Sequence, residues 1–290
     1  MQISVKNLRY SYGGVKKNNS EEHALKGVSL LINEGDFFGI IGQTGSGKST
    51  FVQHLNGLIP LKEGMGEIKV GEYDLSDKKV NLKGLRAKVG MVFQYPEYQL
   101  FAETVEEDVA FGVKNFFPTK SAEEIKETVK TAIECVGLDY EKIKDKSPFE
   151  LSGGQKRRVA IAGVIASRPE VLVLDEPAAG LDPQGKKEFL ELLIRLHGDF
   201  VKTIVIVSHD MDLVAEYCNR VAVFKNGKII KEGTTEEVFS DEGAIFGSGL
   251  DLPVVEYLKK KLAENGEKIE CGTKISEFLD AVSEKKDGKR

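Results

Sequence analysis

The chain has 290 residues, of which 41% are hydrophobic and 30% charged, a balance typical of a folded protein with one large core and an appendage. Its net charge of −5 argues against nucleic-acid binding through bulk electrostatics. We expect no signal peptide and no membrane span, since no apolar run approaches ~18 residues. The cysteines Cys135, Cys218 and Cys271 lack metal-ligand spacing and fit a reducing cytoplasm.

The N-terminal segment predicts antiparallel strands. Apolar residues alternate with polar ones in residues 1–12 and again in residues 28–32, a spacing typical of strands with one buried face. The polar stretch between them, residues 13–22, predicts a loop. Residues 37–41 (FFGII) then predict a short buried strand.

A glycine-rich loop follows that strand and fits the pattern G-x-x-x-x-G-K-[ST] of phosphate-binding P-loops. Its glycines let backbone N–H groups surround phosphate oxygens, and the helix predicted from residue 51 adds its positive end. Lys48 is expected to reach the β- and γ-phosphates, Ser49 to bind Mg²⁺, and Thr50 to make a neighbouring phosphate contact. The predicted ATP-binding loop comprises Gly42, Gln43, Thr44, Gly45, Ser46, Gly47, Lys48, Ser49 and Thr50.

Residues from about 97 to 167 predict a helical insert. Ser121 and Glu124 form a capping box, and Gly137 ends the helix that they begin. Residues 151–155 (LSGGQ) predict another helix start, with Ser152 as N-cap and an apolar face downstream. The N–H groups of such a start can bind an anion, although a capped helix without a ligand is the commoner case.

An acidic pair ends the apolar run at residues 171–174, which predicts a central parallel strand buried on both faces. Such a pair usually lies in a solvated loop, but a P-loop upstream favours a metal site. Asp175 is then expected to hold Mg²⁺ and Glu176 to polarise the attacking water. His209 follows a further apolar strand at residues 203–207. A lone histidine there is more often structural, yet the upstream acidic pair favours a functional one.

These segments, in this order, resemble the motifs of ATP-binding cassette (ABC) proteins. LSGGQ matches their signature sequence, Gln94 resembles the Q-loop, Asp182 the D-loop and His209 the switch histidine, whereas Tyr12 is placed like the aromatic that stacks on adenine. The resemblance covers residues 1 to about 240. It implies an α/β P-loop NTPase with a RecA-like core, an antiparallel β subdomain, an α-helical insert and a short C-terminal extension.

The resemblance also implies a shared site, because ABC cassettes enclose two ATP molecules head to tail. Since the chain has one copy of each motif, it must dimerise to hydrolyse ATP. Glu176, His209 and Gln94 are then catalytic, and Mg²⁺ is held by Ser49, Gln94 and Asp175. The residues implied to contact the ATP of a partner subunit are Ser152, Gly153, Gly154, Gln155 and Asp182.

Residues 95–112, directly after Gln94, resemble the ATPase subunits of energy-coupling factor (ECF) transporters, which take up vitamins or transition-metal ions. This implies a peripheral protein on the cytoplasmic face of the membrane, with a scaffold (T) subunit, substrate-binding (S) subunits and a second cassette as partners. Leu100 and Phe101 are expected to line the groove for a membrane subunit, although core packing is an alternative for each aromatic. The sequence of residues 99–101 (QLF) resembles one branch of the heterodimeric cassette pairs, which favours a paralogous partner cassette over an identical one.

We expect an ABC ATPase domain at residues 1–240 and a dimerisation extension at residues 241–290, with two short helices and a disordered tail from residue 283. Residues 259–261 (KKK) are expected to form a solvated face, with a membrane-surface role as the alternative. Two other functions stay open: the ATPase of a conventional ABC importer or exporter, and a soluble ABC ATPase, for example in Fe–S assembly. The transported solute is not encoded here.

Overall fold

The computed structural model describes residues 1–12 and 23–287, so the loop predicted at residues 13–22 lies outside the described residues. Its N-terminal sheet is antiparallel and has the strand order β2-β1-β4-β5. These strands are β1 (Ile3–Tyr10), β2 (Leu25–Ile32), β4 (Glu67–Val70) and β5 (Tyr73–Asp74). The predicted antiparallel pairing of the N-terminal segment is confirmed.

The central sheet has six strands in the order β10-β9-β3-β8-β7-β6. They are β3 (Phe37–Gly42), β6 (Val89–Val92), β7 (Val171–Asp175), β8 (Thr203–Val207), β9 (Arg220–Lys225) and β10 (Lys228–Thr234). All neighbours are parallel except the hairpin β9–β10. Because β3, β7 and β8 are buried throughout and run parallel, their carboxyl ends meet at one edge.

The predicted hairpin at Asn226 and Gly227 is confirmed. Both residues adopt positive φ angles, 50° and 79°, as the favoured two-residue turn between antiparallel strands requires. Asn tolerates this conformation better than most residues and glycine adopts it freely, so the dipeptide fixes the register of β9 and β10.

Some helices pack on the central sheet, and others form the helical insert and the C-terminal extension. In chain order they are α1 (Lys48–Leu55), α2 (Leu82–Lys88), α3 (Val105–Phe116), α4 (Ala122–Cys135), α5 (Tyr140–Ile143), α6 (Gly153–Ile165), α7 (Pro183–Leu196), α8 (Met211–Tyr217), α9 (Thr235–Phe239), α10 (Glu242–Gly247), α11 (Val254–Glu264) and α12 (Ile275–Asp287). The predicted capping box begins α4, with bonds of 2.7 and 3.2 Å between Ser121 and Glu124. No helix within the described ranges is long and apolar enough to cross a membrane.

Two predictions about individual segments are wrong. Leu100 is only 6% exposed and belongs to the core, so it does not line a groove, whereas Phe101 is 60% exposed. The tail predicted to be disordered from residue 283 continues α12 as far as Asp287, since Phe278 of that helix packs with Val255 and Ile269 in a small core of the extension. Residues 288–290 lie outside the described part.

Candidate active site

Lys48 lies at the base of the glycine-rich loop, at the start of α1. Its Nζ donates hydrogen bonds to the carbonyl oxygens of Gly42, at 2.7 Å, and Gln43, at 2.9 Å. Burial lowers the pKa of the Lys48 ammonium, and the charges of Glu176 and Asp175 oppose that shift. A cation held in a site shielded from water attracts phosphate oxygens more strongly than one on the open surface.

Two glycines give this loop its shape. Gly42 has a φ of 151°, and a Cβ there would lie 2.3 Å from the carbonyl oxygen of Phe224. Gly47 has a φ of 104°, and its Cβ would lie 2.5 Å from the carbonyl oxygen of Ala24. Because any side chain would collide with the backbone at both positions, the close turn requires glycine.

Asp175 ends β7 directly opposite the start of α1. The Oγ of Ser49 donates a hydrogen bond to its Oδ1 at 3.1 Å. Burial raises the pKa of the Asp175 carboxyl, while the hydrogen bond from Ser49 opposes the shift. A hydroxyl and a carboxylate side by side are the hard oxygen donors that Mg²⁺ prefers, so this pair fits that ion chemically.

Glu176 is the next residue and adopts a φ of 47°, in the left-handed region that non-glycine residues rarely occupy. Its N–H donates to the carbonyl oxygen of Val207 at 3.0 Å, which ties this turn to the end of β8. Such a conformation costs about 1–3 kcal/mol and typically marks functional sites. The turn points the Glu176 carboxylate at His209, whose Nδ1 lies 3.2 Å from Oε2.

Gln94 lines the same pocket as Glu176 and His209, a cavity of about 330 Å³. The three predicted catalytic residues therefore meet at one place, although 115 positions separate the first from the last. The cavity is also lined by residues 178–181, which immediately precede Asp182. The side chain of Asp182 itself caps α7 by accepting a hydrogen bond from Gly185 N at 2.9 Å.

Tyr12 is 67% exposed beside the glycine-rich loop. Its hydroxyl shares a hydrogen bond with Thr50 Oγ1 at 2.9 Å, and its ring meets Tyr10 edge to face at 4.9 Å. The ring is therefore fixed at its edge and its hydroxyl, and it is open enough for a flat base to stack on it.

The LSGGQ segment forms the N-terminus of α6. Ser152 Oγ accepts from Gln155 N at 3.3 Å, and Gln155 Oε1 accepts from Ser152 N at 3.0 Å, so the segment is a capping box. The sequence predicted the N-cap but not its reciprocal partner. A Cβ added at Gly153 or Gly154 would meet no described atom within 4 Å. This helix start is open to a molecule outside the chain.

Sequence reasoning missed Arg157, which connects three parts of the site. Its guanidinium donates to both carboxylate oxygens of Glu97, at 3.1 and 2.9 Å, and to the carbonyl oxygen of Ala179 at 3.2 Å. It thereby joins the segment after Gln94, helix α6 and the loop before Asp182. Charged residues 60 positions apart carry no pairing signal in a single sequence.

The fold and these residues together define an ATP-binding cassette, as the sequence predicted. A family model described as ABC transporter matches residues 25–179. The energy-coupling factor transporter ATP-binding protein EcfA2 of Clostridium tetani is 50% identical over 92% of this chain and 90% of its own length. The protein of the same name from Clostridium perfringens is 48% identical over 99% of this chain and 96% of its own length.

Solved structures agree with these relatives. The structure of cbiO1 from Clostridium perfringens, described as part of the ABC transporter complex cbiONQ, has a TM-score of 0.71 and 41% identity. It covers 89% of this chain and 98% of its own. A dimeric cassette, MJ0796, bound to ADP and phosphate after hydrolysis, has a TM-score of 0.68 and 30% identity over 80% of this chain and 98% of its own. The chain belongs to the ABC transporter family, among the ATP-binding proteins of energy-coupling factor transporters.

Proposed function

We propose that this chain is the ATP-hydrolysing subunit of an ECF-type importer, which couples ATP binding and hydrolysis to uptake of vitamins or transition-metal ions. The observation that carries the proposal is its likeness, over nine-tenths of its length, to ATP-binding proteins of such transporters. It acts as a peripheral protein on the cytoplasmic face of the membrane, where a T subunit and S subunits supply the path for the solute. None of the alternatives left open by the sequence has a comparable observation in its favour.

Glu176 acts as the base that orients and polarises the attacking water. Its carboxylate lies in a pocket with Gln94 and His209, close to the phosphate-binding loop that holds Lys48. His209 is more exposed than Glu176 and 3.2 Å from it, so it can reach a γ-phosphate while orienting the carboxylate. Positioned bases of this kind accelerate reactions by about 10²–10⁴-fold.

Ser49 and Asp175 would hold Mg²⁺ with a bound nucleotide, and Gln94 would complete its protein ligands. The adjacent hydroxyl and carboxylate oxygens, 3.1 Å apart, support this assignment. The chemistry that the ion supplies is neutralisation of charge on the β- and γ-phosphate oxygens. The chain's own contribution is the positive end of α1 and the Lys48 ammonium beside the same phosphates.

Two cassettes share each ATP. Ser152, Gly153, Gly154 and Gln155 present an open helix N-terminus, which suits the γ-phosphate of ATP bound to a partner cassette. Asp182 follows the pocket-lining residues 178–181 and would cross the same interface in the pair. The second cassette is either a paralogue or an identical chain.

A cluster of exposed aromatic residues forms the docking groove for the T subunit. Phe101 and Phe111 meet edge to face at 4.9 Å, and Tyr95 and Tyr98 lie 6.0 Å apart on the turn after Gln94. Their exposure contrasts with Leu100, which packs inward. Because Tyr95 follows Gln94 directly and Phe101 lies seven residues after it, nucleotide binding and subunit docking are connected through a short segment.

The proposal is tested by purifying the tagged chain from detergent-solubilised host membranes and identifying the proteins recovered with it. We expect a multi-helix scaffold, a small hydrophobic binding subunit and a second cassette. Phe101→Glu should abolish recovery of the scaffold without changing ATP binding. Ile194→Glu, at a similarly exposed apolar residue of α7, should have no effect. Recovery of soluble proteins alone would overturn the transport role and leave the ATPase intact.

A further inference from the structure

The C-terminal extension is bonded to α8, the helix that begins two residues after His209. The backbone N–H of Val254 donates to Asp212 Oδ1 at 2.6 Å, and that of Ile275 donates to Glu216 Oε2 at 3.1 Å. In return, Thr273 Oγ1 donates to the carbonyl oxygen of Ala215 at 2.7 Å. Helices α11 and α12 of the extension and the turn before α12 therefore contact α8.

These bonds satisfy groups that helix ends leave unpaired. The first N–H groups of a helix need acceptors, and α11 begins after Pro253, which offers no side-chain cap. Asp212 and Glu216 are four residues apart and so lie one turn apart on one face of α8. One carboxylate therefore caps α11 and the other α12, while Thr273 bonds a free carbonyl at the end of α8.

The contact through Thr273 is shielded from water, because this side chain is only 6% exposed. At its other end α8 is equally fixed. Asp210 caps it by accepting from Leu213 N at 3.1 Å and forms an ion pair with Lys186 at 3.0 Å. His209 immediately precedes Asp210, so a shift of this seven-residue helix would move His209 relative to Glu176.

A second contact links the extension to the other side of the nucleotide site. Gln43 of the glycine-rich loop donates from Nε2 to the carbonyl oxygen of Gly249 at 3.2 Å. Gly249 has a φ of 72°, and a Cβ there would collide with the Gln43 side chain. Lys225, at the end of β9, also donates to the carbonyl oxygen of Gly247. The extension thus contacts both the phosphate-binding loop and the helix that follows His209.

We propose that Asp212, Glu216 and Thr273 are positioning residues, through which the docked C-terminal extension holds α8 so that His209 stays beside Glu176. The inference rests on the proposed function, since it assigns regulation to the same ATPase site. Docking of the extension then sets the turnover rate, and an assembly partner that binds the extension controls hydrolysis without touching the nucleotide.

The test is Thr273→Val, which keeps the side-chain shape and removes the donor to Ala215. We expect kcat for ATP in the assembled cassette pair to fall about three- to tenfold, the effect of losing one buried hydrogen bond. The affinity for ATP should change less than twofold. Ser283→Ala is the matched control, because its hydroxyl bonds only Leu279 within α12, and it should leave kcat unchanged.

A second pair of variants keeps the test decisive if one protein folds poorly. Asp212→Ala with Glu216→Ala should lower kcat at least as much as Thr273→Val, whereas Asp212→Asn with Glu216→Gln retains the acceptor oxygens and should recover most of the loss. A role in stability alone would lower the melting temperature without changing kcat, and that result overturns the inference. A wild-type pair that cannot hydrolyse ATP would overturn the proposed function itself. An active pair whose kcat is unaffected by Thr273→Val would overturn only the inference that the extension positions α8.

Discussion

The two halves of the nucleotide site are built differently. In the half formed by the glycine-rich loop and the end of β7, Lys48 and Asp175 are buried and bonded to other groups of the chain. In the half formed by the LSGGQ segment, Ser152, Gly153 and Gly154 are exposed, and the side-chain hydrogen bonds that Ser152 makes with Gln155 cap its own helix. Folding alone completes the first half, whereas the second is a surface that needs a partner.

The difference explains why glycine is present in each half. Gly42 is required by the fold, because its positive φ and its distance from Phe224 leave no room for a side chain. Gly154 has open space around it, so the isolated chain would tolerate a side chain there. Any requirement for glycine at this position arises from what approaches the helix end. Substitutions in the two halves should therefore fail in different assays.

The largest expected effect is that of Glu176→Gln in the buried half. The amide cannot act as a base, so ATP turnover should fall by about 10²–10⁴-fold, while nucleotide affinity stays within a few-fold. Phosphate release and equilibrium nucleotide binding measure the two quantities separately. Hydrolysis at the normal rate by this variant would remove Glu176 from the mechanism.

A paired substitution of glycines separates the two halves directly. Gly154→Asp places a carboxylate in the first turn of α6, where it suits the helix dipole by about 0.3–1 kcal/mol but repels a phosphate. We expect an unchanged or slightly raised melting temperature and a loss of hydrolysis of about a hundredfold. Gly42→Ala should instead lower the melting temperature strongly, because its Cβ would collide with backbone.

Unfolding of the chain by Gly154→Asp, or unchanged stability of Gly42→Ala, would contradict this distinction between the two halves. Size-exclusion chromatography with ATP adds a further measurement. Gly154→Asp should bind nucleotide as a single cassette and fail to form the ATP-dependent pair. If the variant still forms that pair at the ATP concentration at which the wild type does, this would argue against a γ-phosphate contact at this helix end.

What the sequence could predict follows a different division, between local patterns and contacts of distant residues. The glycine-rich loop, the Asp175–Glu176 pair and the capped start of α6 are local patterns, in which neighbouring residues determine the backbone. The pairing of Arg157 with Glu97 and the docking of the extension on α8 depend on tertiary contacts between distant residues. Likewise, adjacent Leu100 and Phe101 point in opposite directions, and composition alone does not say which one is buried.

The ion pair between Arg157 and Glu97 connects the halves within one chain, and its removal gives the next largest effect. Arg157→Met leaves Glu97 without its bidentate partner in a mostly buried place, and we expect unfolding free energy to fall by about 3 kcal/mol. Arg158→Met is the matched control: Arg158 pairs with the half-exposed Glu188 and donates one hydrogen bond to the carbonyl oxygen of Val136, so its loss should cost about 2 kcal/mol at most. Chemical denaturation measures both, and equal losses would show that the bridge has no special role.

The smallest predicted effect concerns acid stability, and it arises in the buried half. His54 lies on α1, fully buried, with Tyr10 edge to face at 5.0 Å. Burial lowers the pKa of its imidazole from 6.5 to about 4, and the backbone of Ile59 offsets only part of that shift. Between these pH values the unfolded chain binds a proton that the folded chain does not. The stability contributed by the neutral ring is therefore fully present above pH 6.5 and is lost as the pH falls.

Replacing the ring isolates this contribution. His54→Leu keeps an apolar side chain at the buried position and removes the titrating group, so its unfolding free energy should depend less steeply on pH. Between pH 7 and pH 5 we expect the wild type to lose about 2 kcal/mol more than the variant. Urea unfolding at intervals of half a pH unit measures the difference. Parallel curves would mean that the proton enters the folded protein as easily as the unfolded chain, which would require the helix carrying Lys48 to open to water.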